Sequence, residues 1–299
     1  MKILITGGNG MVGSCLKQYL PMAYTPNSEE LNLQNARNVE DYLQANKFDY
    51  VIHLAAVVGS LHDNIENQIK YFDDNILMNT IITKYSYESG VKNFLGILST
   101  CIYPDIVNDY PMREIHLHSG KPHKDLMSYA YAKRSHAVQI DAYKQTHSVN
   151  YNYLIPSNMY GIISEKHKAR THFLNDLIFK IINAEKSHQD FIELFGDGTP
   201  LRQFMYAEDF AKIIYKYVNE NVNDSFNVAP EENLTIDSFA KIAFKACEVE
   251  FGIKYNDSKP NGQFRKDVST NKFKSYFPDF KFTPLEEGIK EVYNYYVNV

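Results

Sequence analysis

An apolar run at residues 2–6 leads directly into Thr6-Gly7-Gly8-Asn9-Gly10-Met11-Val12-Gly13, followed by an apolar-periodic segment over residues 14–20. Strand, tight glycine turn and helix in immediate succession leave few folds open. Gly7 permits the turn, Gly10 lets the backbone approach a pyrophosphate, and Gly13 allows the helix to lie close on the strand. Phosphates held in such a turn sit at the helix N-terminus, where unpaired amides and the helix dipole favour an anion. The chain is therefore expected to open as a dinucleotide-binding unit.

Further alternation follows from the same reading. Strands are expected at 50–54, 94–98 and 152–155, and helices at 75–89, around Tyr129, at 172–184 and at 209–218, with a loop at 195–202. Strands alternating with helices predict an α/β fold with a doubly wound parallel (Rossmann) sheet. Beyond residue 162 the pattern becomes irregular. This predicts a dinucleotide-binding domain over 1–161 and a smaller α/β substrate-binding domain over 162–299, interleaved with the first. Ligands in such sheets lie beyond the carboxyl ends of the strands, which puts His53-Leu54-Ala55-Ala56 and Ser99-Thr100-Cys101 at the crevice.

Composition removes several classes of function. A formal net charge of -5 argues against a nucleic-acid binder, which would present a basic face. No apolar stretch approaches the ~20 residues that span a bilayer, and residues 1–6 lack a cleavable leader pattern, so a cytoplasmic protein without a membrane partner is expected. Three scattered cysteines, Cys15, Cys101 and Cys247, read as reduced thiols. His116, His118 and His123 share a loop with Lys121 and Lys124 and read as a solvated segment, so no metal is expected.

Tyr129 and Lys133 add chemistry to the fold. Four residues apart on a helix they share a face, so the ammonium can lie beneath the phenol and favour its ionised form. A tyrosine tuned in this way can exchange a proton with a carbonyl oxygen as hydride reaches the adjacent carbon.

Thr6-Gly7-Gly8-x-Gly10-x-x-Gly13, His53-Leu54-Ala55-Ala56, Tyr129-x-x-x-Lys133 and Pro156-Ser157-Asn158-x-Tyr160-Gly161 together resemble the extended short-chain dehydrogenase/reductase family. Within it, Ser99-Thr100-Cys101-Ile102-Tyr103-Pro104, Pro111-Met112, Gly198-Thr199-Pro200-Leu201-Arg202-Gln203-Phe204 and Lys259-Pro260-Asn261-Gly262 look like the GDP-L-fucose synthase group. That resemblance implies a homodimeric enzyme acting on a GDP-linked 4-keto-6-deoxy sugar with NADP(H). It would be a C4 reductase that also epimerises at C3 and C5.

The resemblance also implies roles. Tyr129 would donate the proton at C4, Lys133 would lower its pKa and bind the nicotinamide ribose, and Ser99 would hydrogen-bond the same oxygen. Cys101 and His172 would exchange protons at C3 and C5. Gly7, Gly8, Asn9, Gly10, Met11, Val12, Gly13, Leu54, Ala55, Ala56, Leu98, Lys133, Pro156, Asn158, Met159 and His172 would line the cofactor. Ser99, Asn158, Lys180, Phe195, Arg202 and Lys259 would meet the substrate, the cations at its diphosphate and Phe195 at its base.

The chain departs from the pattern in places. Asn9 stands where NADPH-preferring members often have arginine, and residues 24–30 contain no arginine and no clear ribose-binding acid, leaving NAD(H) open. Lys180 replaces a common arginine, Phe195 a common tryptophan, and residues 162–171 follow the group poorly. A C4 reductase without epimerase activity, or one acting on a related heptose or dideoxy sugar, is the second reading. A non-catalytic dinucleotide sensor is the third, but it has no need of Ser99, Cys101, Tyr129 and Lys133 together.

Overall fold

The computed structural model describes residues 1–164 and 171–298. Strand β1 (Ile3–Thr6) is buried along its whole length, as a continuous apolar run at the centre of a parallel sheet must be. Helix α1 (Met11–Tyr19) follows the glycine turn, starting three residues earlier than its apolar period suggests. Gly13 is thus already helical, and a Cβ there would meet the Gly7 carbonyl oxygen at 2.3 Å. Only glycine lets this turn close so tightly.

From α1 the chain crosses to Tyr24, which pairs beside β1 through Ile5 N–H to the Tyr24 carbonyl and Tyr24 N–H to the Ile3 carbonyl, both at 2.8 Å. Helix α2 (Ala36–Asn46), capped by the Asn35 side chain, carries it back to β2 (Tyr50–His53) on the opposite side of β1. The order therefore reverses between β1 and β2, a topological switch point. Helices α3 (Leu61–Glu66) and α4 (Gln68–Glu88), strand β3 (Asn93–Ile97), helix α5 (Met127–Thr146) and strand β4 (Asn150–Pro156) continue the alternation. Helix α4 begins seven residues before the expected start, since Asn67 ends α3 and enters α4 without a break that composition would reveal.

Strand β5 (Asn158–Tyr160), helix α6 (Phe173–Lys186), strands β6 (Phe191–Phe195), β7 (Leu201–Arg202) and β8 (Phe204–Tyr206), and helix α7 (Ala207–Asn219) precede β9 (Phe226–Val228). Strand β9 joins the central sheet, giving the parallel order β1-β2-β3-β4-β9. The rest comprises β10 (Leu234–Thr235), α8 (Ile236–Ala246), β11 (Gly252–Asn256), α9 (Asn271–Tyr276) and α10 (Leu285–Asn298).

Three apolar cores result. One lies between the sheet and α1 with α7, a second between the sheet's other face and α2, α4 and α5, and a third holds α6, α8 and α10 against β5, β6 and β8. Pairing of β5 with β8, and of β4 with β9, returns the chain after residue 200 to the first unit. The sheet's carboxyl ends therefore face loops from both halves.

Candidate active site

The glycine turn and the ends of β2 to β4 converge at the switch point. A Cβ at Gly7, where φ is +72°, would meet the Ala55 nitrogen at 2.7 Å, so this glycine allows the two strand ends to touch. Thr6 Oγ1 lies 2.7 Å from His53 Nδ1, and His53 Nε2 lies 3.0 Å from Asn79 Oδ1. Burial, then the nearby Lys133 charge, lowers the His53 pKa to about 3, so this histidine is a neutral structural link. Leu54, Ala55, Ala56, Leu98, Pro156, Asn158 and Met159 all fall at or just beyond strand ends along this edge.

No side chain caps α1 and no acid lies in its first turn, so its leading amides remain available for an anion. This arrangement fits a dinucleotide phosphate. Asn9 at the tip accepts a hydrogen bond from Lys17 Nζ at 3.0 Å, which places a cation of α1 beside the turn where arginine is absent.

Tyr129 and Lys133 are both buried on α5. Burial raises the Tyr129 pKa well above its ordinary value, Cys101 and Tyr71 push the same way, and a hydrogen bond with Ser99 lowers it. Support of the phenolate by Lys133, expected from the four-residue spacing, is not what this geometry provides. Lys133 Nζ donates instead to the Ile97 carbonyl at 2.8 Å, and burial lowers its own pKa to about 8. The phenol is therefore protonated near neutrality, the state a proton donor needs.

A lysine held this way affects stability with a definite sign. Its folded pKa lies below the unfolded value, so the unfolded chain binds the extra proton between about pH 8 and about 10.5, and stability rises across that window. Below it, the buried charge costs roughly 3 kcal/mol, partly offset by about 1–2 kcal/mol from the Ile97 bond. Lys133→Met should thus be about 1–2 kcal/mol more stable than the natural chain near pH 7, with the gap closing toward about pH 10 in paired urea titrations. A variant less stable by the same amount at both values would contradict this.

Ser99 ends β3 in extended backbone, and its Oγ accepts the Cys101 N–H at 3.3 Å. A single 3₁₀ turn over Thr100–Ile102 brings Cys101 toward Tyr129. Arg134 fastens that turn. The side chain is buried, Nε donates to the Ile102 carbonyl at 2.9 Å, Nη2 donates to the same oxygen, and Nη1 donates to Gly120. Tyr71 of α4 sets its ring edge-on to Tyr129, centroids 6.2 Å apart, and donates to Asp63.

The opposite wall comes from the chain's second half. Lys266 Nζ lies 3.6 Å from Cys101 Sγ, and Arg202 acts electrostatically on the same thiol. Desolvation, somewhat offset by Cys101, brings the Arg202 pKa to about 10. His172, an exposed residue, directly precedes α6, and desolvation followed by the Lys266 charge lowers its pKa. Ser99, Cys101, Tyr129, Lys133, His172 and Arg202 are thereby brought to one region.

Lys180, Phe195 and Lys259 form a separate cluster. Lys180 Nζ is 4.8 Å and Lys259 Nζ 5.7 Å from the Phe195 ring centre, and the ring is half exposed. Lys180 is also paired with Asp176 at 3.0 Å and bonds the Glu193 carbonyl. Asn261 ties the two clusters together: its Oδ1 accepts from Asp197 N, in the loop that leads to Arg202. Residues 165–170, within the stretch expected to depart most from the group, lie outside the described residues.

Lys266, Arg134 and Tyr71 escaped sequence reasoning. Lys266 could have been noticed as a cation seven residues beyond Lys259 with no helical partner. Arg134 and Tyr71 carry no local signal, since their roles depend on contacts across 32 residues and between two helices.

Residues 3–229 match the family model described as the NAD dependent epimerase/dehydratase family. A GDP-L-fucose synthase of Dictyostelium discoideum is 33% identical over 99% of this chain and 95% of its own. A GDP-L-colitose synthase of Yersinia pseudotuberculosis is 30% identical over 100% of this chain and 98% of its own. The crystal structure of a GDP-L-fucose synthetase from Naegleria fowleri bound to NADP superposes with a TM-score of 0.86 at 29% identity, covering 99% of this chain and 94% of that one.

Proposed function

The chain belongs to the NAD dependent epimerase/dehydratase family, and from that premise we propose that it reduces C4 of a GDP-4-keto-6-deoxy sugar with NADPH and epimerises C3 and C5 in the same site. The observation that carries this reading is the meeting of Ser99, Tyr129 and Cys101 at the end of β3, opposite Arg202 and Lys266. No hydrogen bond or ion pair from a carboxylate to either cation is present among the described residues. Two such cations suit a diphosphate or another anion.

NADPH, when bound, supplies hydride. Tyr129, kept protonated by burial, gives its proton to the C4 oxygen as charge develops there, and Ser99 orients that oxygen. Lys133 is left to bind a ribose hydroxyl. The C4 ketone acidifies the hydrogens at C3 and C5. Cys101 takes such a proton, and solvent-facing His172 relays one back on the other face. Phe195 with Lys180 and Lys259 receives the nucleotide end. Residues 1–161 serve as the dinucleotide domain and 162–299 as the substrate domain, interleaved through β8, α7 and β9.

Incubation with GDP-4-keto-6-deoxy-mannose and NADPH, followed by NMR of the product, tests the proposal. GDP-L-fucose with stoichiometric NADPH loss is expected, and unchanged NADPH across a panel of keto sugar nucleotides would overturn it. The GDP-L-colitose synthase relative favours a dideoxy sugar as the second substrate to include.

A homodimer is part of the same proposal. Ile69, Phe72 and Leu77 of α4 and Val138 of α5 are exposed on helices that pack side by side, an apolar surface suited to a second copy. Light scattering should return twice the 34.6 kDa chain mass, and the single-chain mass at assay concentration would count against it.

A further inference from the structure

The placement of Lys266 is closely determined. Leu201 N donates to the Phe264 carbonyl at 2.8 Å and Val268 N to Gln203 Oε1 at 2.9 Å, while Met112 N donates to the Asp267 carbonyl at 2.9 Å. Arg265 pairs with Asp267, Nε to Oδ1 at 2.6 Å, so the neighbouring carboxylate is already neutralised. The segment is therefore pinned on both sides of Lys266. The side chain is buried, and among the described residues its hydrogen-bond partner is Cys101 Sγ at 3.6 Å.

An ammonium taken out of water needs a negative partner to offset the loss of hydration. Among the described residues, the charged or ionisable groups that face Cys101 are Lys266 from the 263–269 segment, Arg202 from β7 and Tyr129 from α5. None is a carboxylate. A thiolate is the anion that the site itself can supply.

We propose that Lys266 is a positioning residue that holds Cys101 in its anionic form and so makes it the base of the epimerisation. The assignment rests on the proposed epimerase chemistry but not on which sugar is bound. In the step itself a C–H bond at C3 or C5 breaks, its proton forms S–H with Cys101, and the electron pair moves into the enolate at C4. A solvent proton relayed through His172 then forms the new C–H bond, and Cys101 returns its proton to solvent. Burial lowers the Lys266 pKa while Cys101 acts to raise it, and the Lys266 charge in turn lowers the pKa of His172.

Alkylation by iodoacetamide, followed by peptide mass spectrometry across a range of pH, reads the thiolate without substrate. Cys15 and Cys247 are internal controls, since burial pushes both thiols up to about 12. In the natural chain Cys101 should react alone. Lys266→Met and Lys266→Gln should move the midpoint of Cys101 alkylation up and slow the reaction near pH 7 by about tenfold or more, while Lys266→Arg should restore most of the rate.

An unchanged midpoint in both neutral variants with Cys15 and Cys247 still protected would overturn the proposal. So would a change confined to KM for the nucleotide sugar, which would make Lys266 a diphosphate anchor only. Should Lys266→Met expose Cys15 or Cys247, the Lys266→Gln and Lys266→Arg pair decides alone: equal midpoints in these two refute the charge effect. If the epimerase chemistry itself is wrong, the natural chain will place no deuterium at C3 or C5 while the midpoint shift persists.

Discussion

Tyr129→Phe is expected to lower the rate of C4 reduction by about 10²- to 10⁴-fold while NADPH binding stays within a few-fold of the natural chain. The ring packing survives the change, because Phe keeps the edge-on contact with Tyr71 and loses only the hydroxyl that bonds Ser99. Ser99 Oγ still accepts the Cys101 N–H, so the 3₁₀ turn is held. Loss of the proton at C4 is then the single large change. Single-turnover loss of NADPH absorbance measures the chemical step, and fluorescence titration of NADPH measures binding. Equal turnover in the two proteins would remove Tyr129 from the mechanism.

The pH dependence has a fixed sign. A donor works while protonated, and burial raises the Tyr129 pKa, so its ionisation should not limit reduction anywhere below about pH 10. A base-catalysed profile that rises through neutrality and vanishes in Tyr129→Phe would mean that the phenolate, not the phenol, is the resting state. That outcome would restore the direct influence of Lys133 that the four-residue spacing suggests.

The dinucleotide half is legible in the sequence because its constraints are local. Gly7 and Gly13 are required within one turn of chain, and β1 announces itself as four consecutive buried residues. Ser99, Cys101 and Tyr129 were legible through motifs, and the sheet topology puts them at one edge. The direction of Lys133 was not legible, because the Ile97 carbonyl that takes its ammonium belongs to a strand 36 residues away. Lys266 was hidden for a related reason: its position depends on β7 and on the loop at Met112, and such pairings leave no period in the sequence. Helix boundaries slipped where a glycine sits inside a first turn, as at Gly13, or where one residue serves two helices, as at Asn67.

Cys101→Ala separates the two halves of the proposed reaction. In deuterated water, without NADPH, the natural chain should exchange hydrogen for deuterium at C3 and C5 of GDP-4-keto-6-deoxy-mannose. In the variant this exchange should fall by about 10²- to 10⁴-fold, the usual reach of a positioned acid or base. Reduction at C4 should survive, because Tyr129, Ser99 and Lys133 are untouched and the lost thiol only raised the phenol's pKa. With NADPH present, the variant should therefore yield the unepimerised C4-reduced sugar. Packing gives little reason for collapse, since Cys101 is only half-buried and Arg134 holds the turn through the Ile102 carbonyl, not through sulfur. Undiminished exchange in Cys101→Ala would pass the base role to His172. No exchange in the natural chain would make the enzyme a C4 reductase, with Lys266 and Arg202 left to hold the substrate's diphosphate. Arg202 then distinguishes these cases: in the epimerase its charge is shared between thiolate and diphosphate, so Arg202→Met should weaken both exchange and nucleotide-sugar binding, whereas in a pure reductase only binding should suffer.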